Sequence, residues 1–113
     1  VARVFPPRET GARPVAAQER TGERAMGPLT FVDGEWLEGN PGIMGPMSHG
    51  SWMASTVFDG ARVFENCAPD LDRHCERLIH SAHAMELQPV VTAQEILDLA
   101  LEGIGKFPNG TDL

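Results

Sequence analysis

The sequence contains no tyrosine, two cysteines and a single lysine, Lys106. Without tyrosine there is no phenolic hydroxyl to bond a carboxylate. Cys67 and Cys75 cannot make a dense disulfide framework, so a reducing cytoplasm is the default location. No apolar run approaches the length of a membrane span. The glycines match neither the P-loop nor the dinucleotide-binding spacing, which excludes a phosphate-cradling glycine loop. Basic residues are scarce where they would matter for polyanions. The chain carries −7 overall. Residues 1–25 hold five Arg and three Glu, while residues 26–113 hold 13 acids against three Arg and Lys106. An acidic body of this kind has no face for nucleic acid and no attraction to anionic membranes.

The 113 residues suffice for one domain at most. Arg, Pro and Gly break up the N-terminal segment repeatedly, so it has no apolar core of a secretory signal. Glu9, Glu19 and Glu23 argue against a transit peptide. Residues 1–27 read as a disordered arm with too few apolar side chains to offset chain entropy. The remaining residues, 28–113, form a small domain of marginal stability by itself. Val1 in first position suggests a fragment or a non-standard start.

Order is expected from Leu29. Leu-Thr-Phe-Val, Asp33-Gly34 and Glu-Trp-Leu read as a β-hairpin, with Asp-Gly supplying the two positive-φ positions of a type I′ turn. Residues 39–50 are punctuated by Gly and Pro and read as an ordered loop. Residues 56–64 look extended. Asp59-Gly60 is either a second hairpin turn or a bend where another group nears the backbone. Leu71, Cys75, Leu78, Ile79, Ala82 and Met85 then share a helical face about 120° wide, with Asp70 as N-cap. Thr92 and Glu95 form a capping-box signature. Ala93, Ile96, Leu97, Ala100, Leu101 and Ile104 share the face of a second helix, its end weakened by Gly103 and Gly105. Pro108-Asn109-Gly110 is a turn. The fold class is α+β, a small antiparallel sheet with two helices.

Arg77 lies about 80° outside the first helix's apolar stripe, flanked by His74 and Ser81. It is either a solvated helix arginine or an anion ligand, since a guanidinium fork suits phosphate. Cys67, His74, Cys75, His80 and His83 do not converge on the helical projection, and Cys75 falls on the core face, so no metal is expected. His49, in its Gly/Met/Pro loop, either orders that loop or touches a ligand. The scattered methionines are gap fillers. Asn109-Gly110-Thr111 matches a glycosylation acceptor, with nothing to suggest secretion.

The ordered pair Val57-Phe58-Asp59-Gly60-Ala61-Arg62 and His74-x-x-Arg77-Leu78-x-x-Ser81-Ala82 resembles the small domain of class IV pyridoxal-phosphate aminotransferases, the branched-chain type in particular. Met47-Ser48-His49, Phe31–Trp36 and Phe107–Leu113 extend the resemblance to about residues 29–113. It implies that Arg77 binds the phosphate of pyridoxal 5′-phosphate and that Phe58 lines the substrate pocket. Arg62 stands at the pocket rim for a substrate carboxylate, or pairs with Asp59 or Glu65. Met53 occupies a position where many members have Tyr, so with Trp52 it makes a more apolar wall. The helix start, Pro69-Asp70-Leu71-Asp72, also departs from the family's aromatic-basic form.

The implied reaction moves an amino group from a branched-chain amino acid to 2-oxoglutarate in a homodimer. The same fold also serves D-amino acid and amine transaminases and aminodeoxychorismate lyases. The catalytic Schiff-base lysine of such enzymes lies in a second, larger domain, so these 113 residues alone are expected to be inactive. Lys106 lies outside every resembling motif and reads as an exposed lysine at a helix end. The competing expectation is a non-enzymatic interaction module that kept the small-domain fold.

Overall fold

The computed structural model describes residues 13–14 and 27–113. The expected disordered arm, residues 1–27, otherwise falls outside the described residues. The chain divides into two compact units, with the break between Ile43 and Met44. Together they give an α+β chain, with the sheet in the first unit and the helices in the second.

The first unit is built on a hairpin of β2 (Leu29–Val32) and β3 (Glu35–Glu38), with β1 (Arg13–Pro14) on the other side of β3. All pairing is antiparallel; Val32 faces Glu35 and Phe31 faces Trp36. Asp33 and Gly34 have φ of 52° and 84°, the two left-handed positions of the expected turn. The turn sets Phe31 opposite Trp36, and their rings meet edge-on with centroids 5.2 Å apart. Thr30 Oγ1 donates to the Gly39 carbonyl at 3.0 Å, and Gly39 N–H donates to Pro28 O at 2.7 Å, closing the hairpin's open end.

The second unit opens with a segment expected to be loop throughout. It contains one helical turn, α1 (His49–Trp52). Short polar side chains hold it. Gly45 N–H donates to Ser48 Oγ at 3.0 Å, and Thr56 Oγ1 donates to Gly50 O at 3.1 Å. His49 Nδ1 meets Ser55 Oγ at 2.5 Å, so His49 orders this loop. A Cβ at Gly50 would stand 2.7 Å from Thr56 Oγ1 and 3.0 Å from Met44 Sδ, so any larger residue there would displace the Thr56 hydroxyl from its bond to Gly50 O.

Residues 56–64 form no strand among the described residues. Neither Asp59 nor Gly60 has positive φ, and open space surrounds the Cβ position of Gly60, so neither reading of that pair holds within this chain. The tight turn comes later. Glu65 and Asn66 take φ of 50° and 61° between Phe64 and Cys67, which exchange both backbone hydrogen bonds. Val63 exchanges a second such pair with Leu113. Asn66 Oδ1 accepts from Gly110 N–H at 2.6 Å, inside the expected Pro108–Gly110 turn. Two non-glycine residues in left-handed conformation explain why sequence pattern missed the hairpin.

The two helices α2 (Leu71–Ala84) and α3 (Ala93–Gly105) pack on each other. Cys75 and Ala82 are buried at the centre of the α2 stripe, whereas Met85 is 49% exposed because it has already left the helix. Asp70 flanks α2 but is no side-chain cap. Its φ of 52° takes the carboxylate away from the helix N–H groups, and it lies 3.7 Å from Arg73 Nη1 instead. The C-terminus of α2 closes in a Schellman arrangement. Leu87 N–H donates to Ala82 O and Glu86 N–H to His83 O, with Glu86 at φ 58°.

Thr92 and Glu95 form the expected capping box, with both reciprocal bonds present. The Thr92 backbone N–H and hydroxyl both donate to Glu95 Oε2, at 2.7 and 3.0 Å, and hold the Glu95 carboxyl below its usual range. Helix α3 runs through Gly103, which is buried, to Gly105. Lys106 caps it and is not exposed. Its side chain is 15% accessible, with Nζ 3.4 Å from Glu102, since a long aliphatic stem covers apolar surface while its head reaches an acid.

A Thr92→Ala variant should lose about 1 kcal/mol of stability in urea unfolding, with Thr92→Ser close to neutral. Equal midpoints for Thr92→Ala and the parent would mean that the box does not hold the helix start.

Candidate functional site

A carboxylate placed beside a helix needs partners if its neighbours exclude water. Asp59 is in that position, with a side chain only 8% exposed. Its partners come from the first two turns of α2. Arg77 donates Nε to Asp59 Oδ2 at 2.6 Å and Nη2 to Asp59 Oδ1 at 2.7 Å, a two-point fork. His74 Nδ1 lies 2.7 Å from the same Oδ1. His74 and Arg77 are three residues apart, so helical geometry puts them on neighbouring positions of one face. That face is the polar edge beside the stripe holding Cys75 and Ala82.

The hydrogen positions follow from the charges. An ionised carboxylate accepts, so the 2.7 Å contact puts the hydrogen of His74 on Nδ1. The 3.0 Å approach of Arg77 Nη2 to His74 Nδ1 is then a proximity imposed by their shared acceptor. The hydrogen bonds from Arg77 and then His74 hold the Asp59 carboxyl well below the usual carboxylate range. Asp59 in turn raises Arg77, which stays charged throughout. Burial comes first among the causes that push the Cys75 thiol up, with the charges of Asp59 and Asp72 adding to it.

Arg77 remains 63% exposed despite its fork to Asp59. Among the described residues Nη1 makes no hydrogen bond, so the Nη1 end of the guanidinium is left for another acceptor. Phe58, next to Asp59 in the chain, is 91% exposed; Met53 is 59% exposed and Trp52 70%. Arg62 is exposed and makes no ion pair among the described residues. The expected alternative of an Asp59–Arg62 or Glu65–Arg62 bridge does not form among the described residues; Asp59 is taken up by Arg77 and His74 instead. The structure therefore unites Arg77 with Asp59 and His74, and leaves Phe58, Met53 and Arg62 at the surface. The role of Asp59 was not foreseen. Its available signal was the pairing of an acid in V-F-D-G with a basic H-x-x-R helix downstream.

No group of three His, Cys, Asp or Glu among the described residues is placed to hold a metal. An open cleft of about 280 Å³ between Val57, Ile79, Leu87, Pro89 and Ile96 has an almost wholly apolar lining and no titratable group. No described helix is long and apolar enough to cross a membrane.

The chain is similar to a solved aminotransferase from Brucella abortus bound to the co-factor PLP, with a TM-score of 0.71 and 49% identity. The match covers 74% of this chain and 30% of that one, and the fold is that of the matching part of the aminotransferase. A second similarity is to the aminodeoxychorismate lyase of Bacillus subtilis (strain 168), 30% identical over 71 residues. These are 63% of this chain and 24% of that protein. The chain thus spans less than a third of the length of either protein. No family profile matches it.

Because the folded state depresses Asp59, its contribution to stability is complete above about pH 5 and fades as the pH falls toward the folded value. Asp59→Asn should remove that contribution. The stability gap between parent and variant, read from urea unfolding, should therefore narrow with acidification. A gap of constant size down to about pH 2 would show that the carboxylate does not stabilise through its charge.

Proposed function

We propose that these residues belong to a pyridoxal-phosphate-dependent transaminase that moves an amino group between branched-chain amino acids and 2-oxoglutarate. The 49% identity to a PLP-bound aminotransferase is the observation that carries the reading. Arg77 fits the phosphate of such a cofactor: it is charged, exposed and has an uncommitted end. The Asp59–Arg77 pair has no net charge, so the rest of a phosphate's donors must come from outside this cluster. Pyridoxal phosphate would supply the electron sink for chemistry at the substrate Cα. Phe58 and Met53 would offer apolar wall to an aliphatic side chain, and Arg62 a cation to its carboxylate.

Homodimerisation belongs to the same proposal, as does a cytoplasmic location. Met44, Met47, Trp52, Met53 and Phe58 are all more than half exposed within the second unit, which favours a surface covered by more protein. Lys106 is tucked against Glu102 and would not supply the catalytic amine. The 113 residues alone should turn over no leucine, and turnover that survives Lys106→Ala would overturn this assignment of roles.

The similarity to an aminodeoxychorismate lyase favours a second reading, a class IV lyase. The full-length protein should be assayed with leucine, isoleucine and valine against 2-oxoglutarate, and with D-alanine, simple amines and aminodeoxychorismate. Activity confined to any of the latter group would replace the branched-chain assignment. In the same protein Arg77→Ala should raise the cofactor's dissociation constant about ten- to a hundredfold, the loss of one charge-assisted phosphate contact. An unchanged constant would remove Arg77 from the site.

A further inference from the structure

Arg77 does not stand free. A mostly exposed arginine ordinarily samples many rotamers, and ordering it on ligand binding costs affinity. Here the Nε and Nη2 positions are already committed to a carboxylate that is itself 8% exposed and held by His74. The guanidinium plane is thereby fixed before any ligand arrives, and the end carrying Nη1 is the one left over.

We propose that Asp59 is a positioning residue for anion binding: it grips the side edge of Arg77 and presents the Nη1 end to the phosphate of the cofactor. This rests on the reading of Arg77 as a phosphate ligand. His74 completes the arrangement by holding Oδ1 from a second direction.

The proposal has an opposite. A carboxylate next to an anion site repels the anion and offsets the arginine's charge. If charge were all that mattered, removing it would tighten phosphate binding. If positioning matters more, removing it loosens binding. Asparagine tells the two apart, because its single carbonyl oxygen can accept from only one side of the fork and its amide opposes the other donor.

The test uses the full-length apo-protein, titrated spectroscopically with pyridoxal 5′-phosphate and, in parallel, with pyridoxal, which lacks the phosphate. Asp59→Asn should raise the dissociation constant for pyridoxal phosphate about tenfold and leave that for pyridoxal within about twofold. Asp59→Glu, which keeps a carboxylate, should recover most of the difference. In an Arg77→Ala background, Asp59→Asn should have no further effect on phosphate-dependent affinity. Tighter or unchanged binding of pyridoxal phosphate by Asp59→Asn overturns the proposal, and so does an equal loss for both compounds in the Asn and Glu variants. If Arg77→Ala itself leaves the constant unchanged, the phosphate reading of Arg77 falls. If Arg77→Ala weakens binding and Asp59→Asn does not, that reading stands and the positioning role alone is lost.

Discussion

The arrangement of the second unit depends on where the Asp59 carboxylate is satisfied. A mostly buried carboxylate without partners is far more costly than a paired one, so a conformation that leaves Asp59 unpaired is disfavoured. Its partners, His74 and Arg77, are both on α2. The segment through Phe58 and Asp59 is therefore pinned along the polar edge of that helix although it forms no strand. The same contact orients Arg77, and it places Phe58 beside the cluster, open to solvent.

Around this polar clamp the core is thin. Among the described residues the buried hydrophobic side chains are Val63, Cys75 and Ala82, all of small or modest volume, while Trp52, Met47 and Phe58 are outside. Apolar burial is the main favourable term in folding, so the specific bonds carry unusual weight here. The Thr92 capping box, the Schellman closure at Glu86, the Val63–Leu113 pair and the Asn66–Gly110 bond each tie off a backbone end that packing alone would leave loose. Under the proposed function, the exposed aromatic and methionine side chains would be covered by the remainder of a larger enzyme.

Features whose determinants lie within a few residues were legible in advance. Asp33-Gly34 has the backbone freedom of its turn, and the alternating residues beside it set the register. Thr92 and Glu95 reach each other within one helical turn. The α2 stripe and the position of Arg77 outside it follow from helical period alone. The expectations that failed did so because local pattern was overridden. Asp70 had a capping side chain but the wrong backbone angle, Lys106 found cover for its stem, and Glu65-Asn66 turned without glycine.

By itself the sequence determined the α+β class, the hairpin and both long helices, because periodicity and turn chemistry act over short stretches of chain. Arg77 became the candidate through the resemblance of its H-x-x-R-L motif to a known family. Only the tertiary structure decided what Arg77 holds. Asp59 is 18 residues away, and two ions at that separation meet only when the intervening chain folds back along the helix. The pattern of residues names the arginine; the folded path supplies the carboxylate that aims it.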